Sequence, residues 1–214
     1  MNVLHLTCSP RGAASASTRL SELIVRGLVD KAPDSVVMRR DLGLAPPPHV
    51  DMAYAQALIG QPADADAASM ALSETLIAEL EQADCLVIGT PMHNFTVPSP
   101  LKAWIDHVVR IRRTFRSLPE GKVGLLPDRP VLIAVAAGGF YAGDTARQPD
   151  FLTPYLVAIL GTIGLHDVTF FPLQGVTRGA DMVAAAWDHA EHNVRRKLAA
   201  MSAGMDRVAA VGSD

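Results

Sequence analysis

The first 53 residues of this 214-residue chain contain no aromatic side chain, and nine of its eleven aromatics (two Trp, three Tyr and six Phe in all) fall between Phe95 and Phe171. Cysteine is scarce: Cys8 and Cys85 stand alone, with no Cys-x-x-Cys and no Cys/His cluster. That excludes a disulfide framework and gives no zinc pattern, so each is expected to pack as a small apolar side chain. Charge of one sign is also lacking. A net charge of −3 offers no general attraction for phosphate polymers or anionic lipid, so neither nucleic acid nor membrane is an expected partner. No apolar run approaches the roughly 18 residues of a membrane span, and Met1–Leu6 lacks a basic leader, which makes the cytoplasm the expected location. With 49% hydrophobic residues, the chain can still bury a substantial core.

Several nucleotide and hydrolase signatures are missing too. Gly-x-x-x-x-Gly-Lys-Ser/Thr, Gly-x-Gly-x-x-Gly, Gly-x-Ser-x-Gly and His-Glu-x-x-His do not occur. His189 and His192 could share a helix face, but without further ligands they read as a solvated pair, and no metal is expected.

What is present is an alternation. Short apolar runs at Val3–Cys8, Val36–Met38, Cys85–Gly89, Val131–Val135 and Val168–Phe171 read as strands. Between them apolar residues recur at helical spacing: Leu20/Leu23/Ile24/Leu28, Leu72/Leu76/Leu80/Ala83, Leu101/Trp104/Ile105/Val108, Leu156/Ile159/Leu160/Ile163, and Val183 through Leu198. Ser99 is the expected N-cap of the third, with Pro100 at its first position. Five strands alternating with five helices predict a doubly wound α/β domain over residues 1–214. Residues 43–63, with Pro46-Pro47-Pro48, read as an irregular excursion, and 111–130 as a loop or hairpin.

In such folds ligands bind beyond the carboxyl ends of the strands. After the first strand comes Ser9-Pro10-Arg11-Gly12-Ala13-Ala14-Ser15-Ala16-Ser17, leading into a helix. Its hydroxyls and the helix N-terminus could hold a phosphate monoester, or the serines could simply cap the helix. After the third strand, Pro91 and Pro98 bracket a stiff loop presenting Met92, His93, Asn94 and Phe95, able to offer backbone N–H groups to a flat ring. After the fourth, Ala136-Ala137 leads into Gly138-Gly139, which allows close backbone approach and positive φ, or makes an ordinary turn. Phe115, Phe140 and Phe151 sit in loops or at element ends and are expected to be exposed as walls for a flat substrate. Arg110, Arg112, Arg113 and Arg116 form a basic cluster, read either as a solvated helix end or as an attraction for cofactor phosphates.

Taken in order, the serine loop, Arg40-Asp41-Leu42, Pro91-Met92-His93-Asn94-Phe95, Pro98-Ser99-x-Leu101-Lys102-Ala103-Trp104-Ile105-Asp106, Thr114-Phe115-Arg116, Gly138-Gly139 and Leu160-Gly161-x-Ile163-Gly164 resemble the FMN-dependent NADH-azoreductases, also described as FMN-dependent NADH:quinone oxidoreductases. The resemblance implies a flavodoxin-like fold with sheet order 2-1-3-4-5, helices on both faces, and one FMN per subunit of a homodimer with its active sites at the interface. It also implies hydride transfer from NADH or NADPH, through FMN, to a quinone or azo acceptor, with ping-pong kinetics and no catalytic side chain of the protein. Carried over, Ser9, Ser15, Ala16 and Ser17 would hold the FMN phosphate. Pro91, Met92, His93, Asn94 and Phe95 would line the isoalloxazine, with Ala136, Ala137, Gly138 and Gly139 at its pyrimidine edge. The family commonly has Tyr where His93 stands and Ser-Arg where Ala136-Ala137 stands, so a hydroxyl contact to the flavin should be missing. Two other readings stay open: an NAD(P)H-dependent FMN or nitroaromatic reductase, and a flavodoxin-type electron carrier.

Overall fold

The computed structural model describes residues 1–59 and 67–211, with side chains described over 1–59 and 68–201. Strands β1 (Asn2–Thr7), β2 (Val36–Asp41), β3 (Cys85–Pro91), β6 (Val131–Ala137) and β7 (Val168–Gln174) form one parallel sheet in the order β2-β1-β3-β6-β7. Counted among these five, that is the expected order 2-1-3-4-5. Two further strands, β4 (Phe115–Leu118) and β5 (Gly121–Gly124), pair antiparallel as a separate hairpin within the stretch expected to be a loop or hairpin.

Strand alternation divides the core into two layers. On one face Leu4, Leu6, Leu86, Ile88, Val131, Ile133 and Val135 meet α3 (Ala67–Gln82), α4 (Ser99–Val108) and α5 (Thr153–Thr162). On the other, Val3, Cys85, Val87, Leu132, Ala134 and Phe171 meet α1 (Ala16–Lys31) and α6 (Ala180–Val211). Because β3 and β6 are covered on both sides, they read as continuous apolar runs in the sequence.

Three local expectations need correction. Residues 43–63 are not irregular throughout: Met52–Ile59 forms a helix, α2, while residues 60–63 lie outside the described residues. Asp51 Oδ1 accepts a hydrogen bond from Tyr54 N at 2.8 Å and starts the helix. Tyr54 is its only buried residue, so no helical period could show in the sequence. Secondly, α4 starts at Ser99, with Pro98 as N-cap in extended conformation, so Ser99 is not the cap and Pro100 occupies the second helical position. Thirdly, the arginine cluster divides: Arg112 and Arg116 are exposed, as a solvated helix end requires, but Arg110 and Arg113 are neither solvated nor free to attract phosphates. Arg110 is buried, donating to Ser73 Oγ at 2.9 Å and pairing with Glu74. Arg113 donates to Glu81 Oε2 at 2.8 Å and to Glu74 Oε2 at 3.1 Å, so two of the four arginines tie the segment after α4 to α3.

His5 on β1 is buried, with Nε2 2.8 Å from Ser21 Oγ and Nδ1 3.0 Å from Arg39 Nη1. The Ser21 hydroxyl is already donating to Thr18 O at 2.9 Å, which leaves its oxygen to accept from Nε2–H. The ring is thus held neutral. Burial lowers its pKa to about 4, with Glu22 and Asp41 pulling it up and Arg39 pulling it down. Its unfolded pKa is about 6.5, so between roughly pH 6.5 and 4 the unfolded chain binds the extra proton and stability falls as pH falls. The expected loss across that window is about 3 kcal/mol from this group. Urea melts at pH 7 and pH 4 should show it in the native protein and not in His5→Gln. Equal losses in both would exclude His5 as the cause.

Candidate functional site

The ends of β1, β3 and β6 lie side by side in the sheet, so the three segments marked out in the sequence converge at one edge. Their two ends differ in chemistry. At the β1 end, the N–H groups of Ala16, Ser17 and Thr18 precede the first intrahelical bond, Arg19 N to Ser15 O at 3.0 Å, and have no acceptor within α1. Ser9, Ser15 and Ser17 are all buried around them. Ser15 Oγ and Ser17 Oγ are 3.0 Å apart and bonded to each other, and Ser15 makes no side-chain capping bond. No carboxylate stands in the first turn of α1, so the partial positive charge of the helix end is available to an anion.

The serine loop is pressed against the end of β2. Asp41 Oδ1 accepts from Gly43 N and Leu44 N, both at 3.0 Å, while Gly43 N also reaches Thr7 O at 3.1 Å. The Ser9 backbone runs so close to Gly43 that a Cβ there would collide with its carbonyl group and stand 2.9 Å from Ser9 N.

At the β3 end, Met92 N donates to Ala136 O at 2.8 Å, which joins this loop to the end of β6. His93 and Thr96 exchange backbone hydrogen bonds of 3.0 and 2.9 Å around Asn94 (φ 48°) and Phe95 (φ 68°). Positive φ at both central positions is the mark of a type I′ turn. A phenylalanine in the left-handed region is a strained choice, and such strain gathers at binding sites. The Phe95 carbonyl in turn accepts from Phe151 N at 3.0 Å, joining the backbones of two residues that are 43% and 60% exposed. His93 also faces solvent.

At the β6 end, Ala136 and Ala137 are buried within the strand, and Gly138 and Gly139 follow. Neither glycine has positive φ; their value lies in space. A Cβ on Gly138 would stand 3.2 Å from Thr177 Oγ1, and one on Gly139 would strike the Gln148 carboxamide. Gln148 Nε2 lies 3.3 Å from Met92 Sδ, while Gln174 Oε1 accepts from Tyr141 N at 2.6 Å and Ala142 N at 2.8 Å. Nothing in the local sequence marks Gln148, Gln174, Thr177 or Gly43, because each acts on a segment distant in the chain.

The three proposed wall aromatics separate. Phe151 is exposed as expected, beside Phe95. Phe115 is buried, contrary to expectation: pairing opposite Gly124 turns its ring inward, and Lys122 Nζ lies 5.2 Å from the ring centre. Phe140 is half-buried and packs against Gly175, in a groove of about 290 Å³ that it shares with Met182 and His189 of α6. It therefore does not join Phe95 and Phe151.

A larger groove, about 760 Å³, runs along α1 from Ala13 and Thr18 past Arg19, Arg26 and Trp187 and the carboxylates Glu22, Asp41, Asp188 and Glu191. Its four carboxylates outnumber its two arginines, so away from the α1 N-terminus the groove disfavours an anion. Burial raises the Cys8 thiol well above its ordinary range and pushes Cys85 up to about 12, which removes both as nucleophiles. No group of three His, Cys, Asp or Glu suited to a metal occurs among the described residues.

Comparison with known proteins agrees with this architecture. Residues 1–198 match a family model described as flavodoxin-like fold. The chain is 51% identical over 189 residues to FMN-dependent NADH:quinone oxidoreductase 4 of Pseudomonas fluorescens, covering 88% of this chain and 91% of the relative. It is 48% identical over 189 residues to FMN-dependent NADH:quinone oxidoreductase 2 of Cupriavidus pinatubonensis, with coverages of 87% and 92%. Among solved structures, an azoreductase of Bacillus anthracis superposes with a TM-score of 0.79 over 92% of this chain and 99% of that one; at 23% identity the likeness is one of fold.

Proposed function

This chain belongs to the family of FMN-dependent NADH:quinone oxidoreductases, built on the flavodoxin-like fold, and from that premise we propose that it is itself an FMN enzyme that oxidises NADH or NADPH and reduces a quinone or an aromatic azo compound. The observation that carries this reading is the polarity of the converging strand ends. Buried hydroxyls and free helix N–H groups lie at β1, and a strained turn and bare glycine backbone lie at β3 and β6. That arrangement suits a ligand with a phosphate at one end and a flat ring at the other, which is the shape of FMN.

In this reading Ser9, Ser15, Ala16 and Ser17 bind the phosphate. Pro91, Met92, His93, Asn94 and Phe95 line the ring, and Ala136, Ala137, Gly138 and Gly139 run along its pyrimidine edge. Bound FMN supplies the redox chemistry, taking hydride from the nicotinamide and passing it on. The protein's part is to hold the ring and cover the face where donor and acceptor alternate, a task for which Phe95 and Phe151 are placed. A quinone needs two electrons and an azo bond four for full cleavage, so the azo substrate requires two rounds.

The functional unit is a single FMN-binding domain over residues 1–214, working as a homodimer with its sites at the interface. The exposure of Phe95 and Phe151, linked through their backbones, and of Val157 supports a covering partner. Its compartment is the cytoplasm; two buried free thiols are at home there, and no described helix is long and apolar enough to cross a membrane.

Anaerobic addition of NADH or NADPH to the FMN-loaded protein tests the proposal. The flavin's visible band should bleach within the mixing time and return when a quinone is added. An FMN-loaded protein that neither nicotinamide reduces would be an electron carrier instead, and a protein that takes up no FMN would overturn the whole reading.

A further inference from the structure

The turn at the end of β6 has no polar side chain of its own, since residues 136–139 are Ala-Ala-Gly-Gly. Two polar side chains reach it from elsewhere. Thr177 covers Gly138, and its hydroxyl is committed, donating to Gly138 O at 3.2 Å. Gln148 covers Gly139, and its carboxamide is mostly uncommitted. Its one hydrogen bond places Nε2 3.3 Å from Met92 Sδ, and a thioether is a weak acceptor. The second N–H and the carbonyl oxygen remain available.

The position of this side chain is fixed at its base. Gln148 N donates to Phe140 O at 3.2 Å, beside Arg147 N to the same oxygen at 2.8 Å. From there the half-buried carboxamide spans from Gly139 to Met92, across the gap between the β6 turn and the β3 loop. These are the two segments between which the flavin ring is assigned.

We infer that Gln148 is a cofactor-contacting residue whose carboxamide hydrogen-bonds the imide edge of the flavin ring, leaving the Met92 thioether as the ring enters. The inference rests on the FMN reading above. A carboxamide presents a donor and an acceptor side by side, and the imide edge presents N–H beside C=O, so the two match in pairs. An N–H directed at the edge that gains negative charge on reduction also favours the reduced state. Gln148 thus supplies at this turn the polar side chain that Ala136 and Ala137 lack.

The test uses the full chain stripped of FMN, with Gln148→Ala and Gln148→Glu beside it. Titration with FMN, followed by quenching of flavin fluorescence, should show affinity about three- to tenfold weaker in Gln148→Ala, the loss of one such bond. The midpoint potential of the bound flavin should fall in Gln148→Ala and fall further in Gln148→Glu, where a carboxylate opposes the added charge. Unaltered melting temperatures without FMN would confirm that both variants fold. If Gln148→Ala binds FMN as tightly as the native chain or more tightly, with the same potential, Gln148 is only a loop side chain and the inference fails. If the native chain itself takes up no FMN, it is the FMN reading that fails.

Discussion

Replacing Ser15 and Ser17 together by alanine should weaken FMN retention by roughly a hundredfold or more while leaving the fold intact. The two hydroxyls are bonded to each other at 3.0 Å in a buried position, and Ser15 caps nothing with its side chain. Removing both therefore orphans no partner, and unfolding free energy without FMN should change by less than about 1 kcal/mol. Bound phosphate changes the balance, because hydrogen bonds to a charged acceptor contribute about 1.5 to 3 kcal/mol each. Losing two of them, partly offset by water entering, leaves a deficit of about 3 kcal/mol. Either single substitution should be the worse for stability, since it buries a hydroxyl that has lost its mate. Apoprotein titration with FMN, paired with urea melts, measures both quantities. A double variant with FMN affinity within threefold of native would place the phosphate elsewhere.

Gly43→Ala should damage stability and cofactor binding together. A methyl group at this position meets the backbone of Ser9, which no rotamer change can relieve. Either β2's end or the serine loop must move, at a cost of about 3 kcal/mol. For a chain of this size that lowers the melting temperature by roughly 6 to 12 °C. The same Ser9 carbonyl accepts from Gly12 N at 3.1 Å, so displacing it also disturbs the turn leading to Ser15 and Ser17. FMN should accordingly raise the melting temperature of the variant less than that of the native chain. Gly179→Ala is the control, because a Cβ there meets open space. If both variants melt alike and respond alike to FMN, the contact between Gly43 and Ser9 carries no weight.

Much of this architecture is written in local patterns. Val131, Ile133 and Val135 face one layer and Leu132 and Ala134 the other, yet all are apolar, and a short continuous apolar run is itself the signature of a strand covered on both faces. The serines before α1 and the prolines around Met92–Phe95 are equally local, since caps and stiff turns act within a few residues. The arginines after α4 are different. Arg110 and Arg113 look solvent-bound in sequence because Glu74 and Glu81, their partners, stand more than thirty residues earlier on α3. Phe115 misleads for a related reason: its burial depends on pairing with β5.

The uneven distribution of aromatics follows the same division. The aromatic-free start of the chain builds the end of the site made of hydroxyls and backbone amides, and the aromatic-rich middle builds the end suited to a ring, which the sequence alone made visible. Only the tertiary structure decided which rings gather there, selecting Phe95 and Phe151 while burying Phe115 and turning Phe140 toward α6. It alone also set Gln148 against Met92 and Gly43 against Ser9. Periodicity and turn chemistry are properties of neighbouring residues and can be read along the chain; contacts between distant segments depend on how the layers pack, and packing has no local signature.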